Sequence, residues 1–429
     1  MSMNRQHSHQ RPLPLFSFPR ARHILKRVRI SLGPGIAEWH LRSIYILYLA
    51  SKVLLFLHIL SCTPCQLPRF VRTHPDIFSY TSNSSHDMSH PRQRHHLPAE
   101  YALPTSGVLS YIPKSWVPYG ELARVDKPTG ILHFYFPHLF GTLYAACIIG
   151  AAVRLDELLY KNLVLFIGTF FFRSAACAWN DNLDREYDRQ VPRCRLRPLA
   201  RGALSPTQGH VCTIILTTFA LYCIYILPAN CWLISVPNVI LATLYPFAKR
   251  FTDFPQAVLG FQQALGLFIG TGTIITNPEQ FLGFGNKGNA TRHFCALGAL
   301  YLAIVCWEVI VDTVYAQQDV EHDAKAGVRS MALHFRGSAK ALLWAISLLQ
   351  TLFLIVAGVC AGFGRGYMAI SCGGVISALS YMLGTINLSD PRECAWFFKV
   401  GHWYVNLAMA GGLLSQFHVL YAILSASET

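Results

Sequence analysis

Residues 294–316 read FCALGALYLAIVCWEVIVDTVYA, and the segment QQDVEHD over residues 317–323 follows directly. A predominantly apolar stretch of this length crosses a bilayer as one α-helix, for which about 17–25 residues are needed. An α-helix also satisfies its backbone hydrogen bonds within the segment, as the bilayer core requires. The stretch therefore predicts a membrane-spanning helix that ends at a cluster of acidic residues.

Stretches of similar length and composition recur along the chain. They cover residues 130–152, 160–178, 209–228, 231–247, 256–276, 339–363, 367–388 and 400–424. Hydrophobic residues make up 52% of the chain and charged residues only 14%, whereas soluble domains carry about 25% charged residues. The sequence therefore predicts an all-α polytopic membrane protein, a bundle of about nine transmembrane helices around a polar cavity.

The N-terminal part of the chain has a different composition. Residues 1–110 are rich in His, Arg, Ser and Pro, and residues 1–37 contain no acidic residue, which is typical of a transit peptide. One apolar run, residues 44–60, approaches the length of a further span. We therefore predict an N-terminal extension over residues 1–110 and a membrane domain over residues 111–429.

Basic residues are distributed unevenly between the two sides of the predicted bundle. The loops after spans 2, 4 and 6 carry most of the Arg and Lys residues, and they open on the side where span 1 begins. The positive-inside rule places this side in the cytosol, or in the matrix of a mitochondrion. We attribute the net charge of +14 to these loops and to an anionic ligand, and not to nucleic acid.

Two acidic clusters follow even-numbered spans, so both lie on that same side. Asn180, Asp184 and Asp188 are spaced i, i+4, i+8, which places them on one face of a helix end. Asp319 and Asp323 repeat the i, i+4 spacing after span 6. Because ionised side chains are costly inside the bilayer, we expect them at helix ends that line a polar cavity. Carboxylates facing each other across such a cavity suit Mg²⁺ that bridges to a diphosphate.

Several cations share the side of the acidic clusters and are expected to neutralise a departing diphosphate together with the metal. These cations are Arg193, Arg197, Lys249, Arg250 and Lys325. The positive-inside bias alone accounts for Arg185, Arg189 and Arg201, because nothing in their spacing fixes the direction of their side chains.

Four segments occur in a fixed order along the chain. They are Arg124-x-Asp126-Lys127-Pro128-x-Gly130, Asn180-Asp181-x-x-Asp184-x-x-x-Asp188, Tyr245-Pro246-x-x-Lys249-Arg250 and Asp312-Thr313-Val314-Tyr315-Ala316-x-Gln318-Asp319-x-x-x-Asp323. In this order they resemble the signature segments of the UbiA-type intramembrane aromatic prenyltransferases, over residues 115–425. His322 stands where that family usually has a further Asp, so the second acidic cluster is thinned.

The resemblance implies transfer of a prenyl group from its diphosphate to an aromatic carbon. It implies that Mg²⁺ is held by Asn180, Asp184, Asp188, Asp319 and Asp323. It implies that the diphosphate is bound by Asn180, Arg124, Lys127, Arg193, Arg197, Arg250 and Lys325. The catalytic set would comprise the four aspartates with Lys249 and Tyr245, whose ring would stabilise the allylic cation by a cation–π contact.

Residues 193–202 and 315–321 look more like fungal meroterpenoid prenyltransferases than ubiquinone-pathway enzymes. That subgroup farnesylates phenolic polyketides, which implies an endoplasmic reticulum or other endomembrane enzyme with a cytosol-facing site. Its expected partners are a prenyl diphosphate, an aromatic acceptor and the lipid bilayer, with no obligate protein partner.

Two alternatives stay open. The acid-free N-terminus favours a 4-hydroxybenzoate polyprenyltransferase of the mitochondrial inner membrane. A cation-coupled transporter is the alternative from another class, and inverted repeats with broken helices would favour it. The two acidic segments instead lie on one side of the predicted bundle.

Overall fold

The computed structural model describes residues 101–150, 153–277 and 287–427. Every regular element within these ranges is helical, so the predicted all-α class is confirmed. The apolar run over residues 44–60, which approaches the length of a further span, lies outside the described residues. Before the first long helix, Leu109 is buried and the Tyr101 hydroxyl donates a 2.8 Å hydrogen bond to Glu121 Oε1. The predicted domain boundary at residue 110 stays a prediction.

Within the described ranges, nine long helices follow the predicted order of apolar stretches. They are α1 (Pro128–Ile149), α2 (Leu155–Leu183), α3 (Pro206–Tyr225), α4 (Ala229–Phe251), α5 (Pro255–Ile274), α6 (Lys287–Ala316), α7 (Ala339–Ala361), α8 (Arg365–Thr385) and α9 (His402–Ser427). Among the described residues, eight helices are long and apolar enough to cross a membrane, and these are α1 to α8. The chain is therefore an integral, multi-pass membrane protein, and the crossing by α9 stays a prediction.

Helix α2 extends beyond its predicted C-terminal boundary at residue 178. The additional turn carries Asp181 and Asn182, which are both buried. Asn182 Nδ2 donates a 2.9 Å hydrogen bond to the Pro206 carbonyl at the start of α3. Hydropathy ends the predicted span where polar residues begin, but the helix continues because these polar groups find partners within the bundle.

Apolar side chains divide into a buried core and an outer surface. The core includes Phe140, Tyr144, Leu267, Ile304 and Trp307 from α1, α5 and α6. The outer surface exposes large apolar residues that include Leu163, Val211, Leu233, Ile240 and Leu352. Exposed apolar residues along the helices are the expected complement of lipid tails.

Helices α1 and α5 pack with their backbones in close contact at glycines. A Cβ atom built on Gly141 would collide with the Leu267 carbonyl oxygen, and one built on Gly270 would collide with the His138 carbonyl oxygen. Small residues allow this approach, and close van der Waals packing is a main source of helix association inside lipid.

We predict that Gly270→Ala destabilises the bundle by about 1–3 kcal/mol, because the added methyl group forces α1 and α5 apart. Gly298→Ala on α6 is the matched control, since a Cβ atom built on Gly298 would have no other atom within 4 Å. Thermal unfolding of both purified variants in detergent measures the difference. Equal midpoints for the two variants would contradict the proposed close contact.

Candidate active site at one end of the bundle

The first acidic segment lies where α2 ends. Helix α2 stops at Leu183, Asp184 caps it, and a short helix over Arg185–Asp188 follows. The Asp188 amide donates a 2.8 Å hydrogen bond to the Asp184 carbonyl, so the helical path is nearly continuous. Asp184 and Asp188 are each only 7% exposed. Buried carboxylates of this kind require positive partners.

The end of α4 supplies cations to this segment. Lys249 Nζ lies 3.1 Å from Asp184 Oδ2 and 3.3 Å from Asn180 Oδ1. Arg250 Nη2 lies 3.6 Å from Asp184 Oδ1. One turn before Lys249, the Tyr245 ring has its centroid 5.1 Å from the Lys249 ammonium. The ends of α2 and α4 therefore meet, as the parity of the spans predicts.

Arg197 joins Asp188 to a further buried carboxylate, Asp181. Its Nη1 atom lies 2.9 Å from Asp188 Oδ2 and 3.1 Å from Asp181 Oδ1. Burial raises the pKa of Asp188 to about 6, against the opposing effect of Arg197. Burial alone would lower the pKa of Arg197, but Asp181 and Asp188 hold that pKa well above its ordinary value. Arg197 therefore stays charged beside both carboxylates.

Arg124 approaches the same carboxylate from the turn that precedes α1. Its Nη2 atom donates hydrogen bonds of 2.8 and 2.6 Å to the two Asp181 oxygens. Its backbone has φ 57°, the left-handed region in which an Arg residue is strained. A glycine at this position would relieve the strain but could not form the ion pair with Asp181. The ion pair therefore explains why an arginine occupies this turn.

The second acidic segment follows α6 at the same end of the bundle. A 3₁₀ turn over Gln317–Asp319 leads into a short helix over Val320–Ala326. Arg193 Nε lies 3.1 Å from both Asp319 carboxylate oxygens, and its Nη2 atom also contacts Asp319. The Arg193 guanidinium further lies 4.8 Å from the Tyr315 ring centroid. Arg193 therefore links the loop after α2 to the end of α6.

Asp323 is half-buried in the short helix that follows Asp319. A backbone contact holds this segment against the end of α4, because the Arg329 amide beyond it donates a 3.0 Å hydrogen bond to the Lys249 carbonyl. The Arg193–Asp319 ion pair and this hydrogen bond therefore bring the two acidic segments to the same end of the bundle.

Two predicted cations lie at the edge of this network. Lys127 is exposed at the N-cap of α1. Lys325 is exposed in the short helix after Asp319, and the described residues give it no ion pair. The roles predicted for these two lysines stay predictions.

The interpretation of Arg201 as a residue without a fixed direction is wrong. Its side chain is only 1% exposed, is paired with Glu121 and lies 3.8 Å from the Tyr101 ring centroid. By contrast, Arg185 and Arg189 pair with the exposed Glu186 at the surface, as a solvated loop would have them. Spacing along the sequence does not distinguish Arg201 from the other two, because its partners come from a distant segment.

Asp181 is a buried carboxylate of this site that the spacing argument missed. It is 2% exposed and forms ion pairs with both Arg124 and Arg197. The i, i+4 spacing from Asn180 places Asp184 and Asp188 on the same helix face. Asp181 lies off that face, so the spacing predicts no role for it. The available signal was a carboxylate inside the last turn of a membrane helix, where an unpaired charge is costly.

The fold and this site together define a class: a polytopic membrane protein with two acidic segments and their cations at one end of its helices. The model of the UbiA prenyltransferase family matches residues 138–408. Prenyltransferase ascA of Acremonium egyptiacum is 38% identical over 285 residues, which cover 66% of this chain and 81% of the relative. Prenyltransferase stbC of Stachybotrys bisbyi is 37% identical over 316 residues, which cover 73% of this chain and 91% of the relative. DMOA farnesyltransferase nvfB of Aspergillus novofumigatus is 33% identical over 312 residues, which cover 73% of this chain and 95% of the relative.

Solved structures agree in fold. A UbiA homolog from Archaeoglobus fulgidus, bound to GPP and Mg²⁺, superposes with a TM-score of 0.51 at 16% identity, covering 71% of this chain and 99% of that chain. A UbiA homolog from Aeropyrum pernix superposes with a TM-score of 0.50 at 20% identity, covering 66% and 98%. The chain belongs to the UbiA prenyltransferase family and is a prenyltransferase. The predicted enzyme class is confirmed, and the enzyme replaces the transporter alternative.

We predict that Asp181→Asn lowers the free energy of unfolding by roughly 3–5 kcal/mol, because it leaves the buried Arg124 guanidinium without its carboxylate partner. Glu186→Gln is the matched control in the same segment and should cost below about 1 kcal/mol, since its ion pairs are exposed. Titration of the purified protein with SDS in micelles measures both values. A loss for Asp181→Asn no larger than that of the control would show that Asp181 does not organise the site.

Proposed function

We propose that this protein transfers a farnesyl group from farnesyl diphosphate to a carbon of a phenolic polyketide acceptor, in meroterpenoid biosynthesis. The observation that carries the proposal is the junction of the two acidic segments through Arg193–Asp319 and Lys249–Asp184. Alternating carboxylates and cations at one end of a membrane bundle suit a metal diphosphate whose prenyl tail lies among apolar helices. The relative nvfB, described as a farnesyltransferase, supports the choice of donor.

The donor set of the site fits Mg²⁺. Carboxylate and amide oxygens are the hard ligands this ion prefers, and they are provided by Asn180, Asp184, Asp188, Asp319 and Asp323. In the part of the chain that the structure describes, no group of three or more His, Cys, Asp or Glu side chains is arranged to hold a metal ion. Mg²⁺ at this site would therefore take its remaining ligands from substrate phosphates and water. When bound, Mg²⁺ would neutralise charge on the departing diphosphate.

The cations of the site provide the second part of the mechanism. Lys249, Arg193 and Arg197 each form an ion pair with a carboxylate of the acidic segments. Diphosphate oxygens are alternative acceptors for the same N–H groups, so binding exchanges one anion for another without leaving a cation unpaired. Donors that are already in place stabilise the charge that develops on the leaving group.

Tyr245 is positioned to act on the other product of ionisation, the allylic cation. Its ring already has the Lys249 ammonium 5.1 Å from its centroid, so the aromatic ring accepts a cation nearby. The electron-rich acceptor ring then forms the new carbon–carbon bond and loses a proton. Tyr245 would hold the cation until that attack takes place.

The charged end of the bundle also indicates where in the cell the enzyme lies. We propose an endoplasmic reticulum or other endomembrane enzyme whose charged end faces the cytosol, because the loops at that end carry most of the Arg and Lys residues. The mitochondrial 4-hydroxybenzoate polyprenyltransferase remains the second candidate, since residues 1–37 contain no acid. A panel of prenyl diphosphates and phenolic acceptors, tested in microsomes with products identified by mass spectrometry, separates the two.

We predict that Asp184→Asn and Asp323→Asn each lower turnover at least about a hundredfold, because each removes a charged oxygen donor from a different acidic segment. Excess EDTA should abolish product formation by the wild-type protein, and added Mg²⁺ should restore it. Glu321→Gln is the matched control, since this acid lies between Asp319 and Asp323 but is exposed and paired with Arg336. Near-normal turnover by either aspartate variant would exclude the metal–diphosphate assignment.

We predict that both acidic segments face the cytosol. A membrane-impermeant maleimide added outside sealed microsomes should label Arg189→Cys and Arg336→Cys, whose native side chains are exposed. Arg154→Cys, in the exposed turn between α1 and α2, is the control at the opposite end and should label only after the membrane is permeabilised. The wild-type protein gives the background from its own cysteines. The opposite pattern would place the site in the lumen.

A further inference from the structure

A buried contact between a histidine and a carboxylate lies inside the bundle, apart from the ion pairs of the two acidic segments. His133 Nε2 of α1 lies 2.7 Å from Glu308 Oε2 of α6, and the two side chains are 4% and 2% exposed. Ionisable groups within membrane helices are costly and commonly mark a functional site. The proposed function assigns neither residue to the diphosphate.

Unpartnered ring nitrogens lie beside this pair. His402 at the start of α9 is fully buried, and its ring is within reach of the Phe398 backbone one turn earlier, which leaves at least one ring nitrogen without a hydrogen-bond partner. Its ring centroid lies 5.9 Å from that of His133, whose Nδ1 atom also lacks a partner. Buried polar atoms are normally hydrogen-bonded, so the unpartnered nitrogens of two adjacent histidines indicate a ligand with polar substituents.

The pair lies on the helix stripe that leads from the diphosphate site. Glu308, Asp312, Tyr315 and Asp319 occupy positions i, i+4, i+7 and i+11 of α6 and its continuation, which share one face. At 1.5 Å per residue, Glu308 and Asp319 are separated by about 16 Å along the axis. Asp312 lies between them on this face. The diphosphate, the reacting carbon of the prenyl group and the acceptor ring, placed end to end, span the distance between Asp319 and Glu308.

An aromatic wall accompanies this stripe. The Phe398 ring centroid lies 4.9 Å from that of Tyr315 and 5.8 Å from that of His133. Aromatic side chains pack favourably against a further aromatic ring in stacked or edge-to-face geometry. The wall thus extends from the residue that contacts Arg193 to the His133–Glu308 pair.

We propose that His133, Glu308 and His402 form the subsite that binds a ring hydroxyl of the aromatic acceptor. This inference rests on the proposed function and specifies its second substrate. The Glu308 carboxylate accepts a hydrogen bond from the hydroxyl, and an N–H of His402 donates to the hydroxyl oxygen. His133 positions Glu308. A hydroxyl that donates to a carboxylate gains electron density, so the ring carbons ortho and para to it become better nucleophiles towards the allylic cation.

The test compares an acceptor that has the hydroxyl with one that has lost its hydrogen. The probes are 2,4-dihydroxybenzoate and its two monomethyl ethers, with farnesyl diphosphate as the donor. We expect Glu308→Gln and His402→Asn to raise the KM of the dihydroxybenzoate about tenfold to a hundredfold, and to leave the KM of farnesyl diphosphate unchanged. One of the ethers should bind the wild-type protein more weakly than the parent phenol, and Glu308→Gln should remove most of that difference.

Tyr135→Phe is the matched control, because it removes a hydrogen bond from the same helix, the 2.9 Å bond from Tyr135 to Asn162. The variant His133→Leu/Glu308→Leu tests a purely structural ion pair, which an apolar pair of similar size can replace without loss. The proposal is overturned if this double variant keeps the wild-type acceptor KM, or if the single variants change both KM values equally.

A binding measurement separates the subsite from the proposed function. Equilibrium binding of radiolabelled dihydroxybenzoate to the purified protein in detergent does not require turnover. Binding to the wild-type protein that Glu308→Gln weakens would support the subsite even if no farnesylated product forms. An absence of wild-type binding would overturn the subsite, whereas product formation from other phenols would still support the proposed function.

Discussion

Ionised side chains at the end of a membrane bundle have to be neutralised by one another, since neither lipid nor free water solvates them fully. This requirement organises the protein. Asp181, Asp184, Asp188 and Asp319 are all less than a tenth exposed, and each lies against at least one Arg or Lys side chain. Removing one partner of such a pair leaves the other charge buried and unpaired, which is costly. The acids and the cations therefore stabilise the folded site only as pairs.

The pairing also determines which elements must meet. Arg124 ties the turn before α1 to α2, Lys249 ties α4 to α2, and Arg193 ties the loop after α2 to the end of α6. Away from this end, the bundle depends on close packing, as at Gly141 and Gly270 between α1 and α5. A substrate diphosphate would therefore enter a site whose charges are already balanced, and it would replace contacts instead of creating them.

The sequence was sufficient for the parts of this arrangement that depend on local pattern. The length of the apolar stretches predicted the nine helices, and the parity of those stretches predicted that both acidic segments share one end. It did not identify the partner of Arg124 or of Arg201, because Asp181 and Glu121 reach these residues only through tertiary packing. The His133–Glu308 pair is similarly invisible to local spacing, since its members are on α1 and α6.

Two classes of polar group therefore lie along one face of α6. At its end, Asp319 belongs to the charged network that suits a diphosphate, and deeper in the bundle Glu308 belongs to a small polar group beside an aromatic wall. An aromatic ring placed between them would meet the allylic carbon at one edge and a hydrogen-bonding partner at the other. In our proposal the two groups are the separate environments of the donor and the acceptor.

We propose that the junction of the two acidic segments is the diphosphate site. A structure of the protein with Mn²⁺ and the non-reactive farnesyl thiolodiphosphate, with the metal located by anomalous scattering, tests this most directly. We expect Mn²⁺ between Asp184 and Asp323, with diphosphate oxygens on Lys249 and on an Arg193 that has left Asp319. A thiolodiphosphate bound elsewhere, with the Arg193–Asp319 pair unchanged, would contradict it.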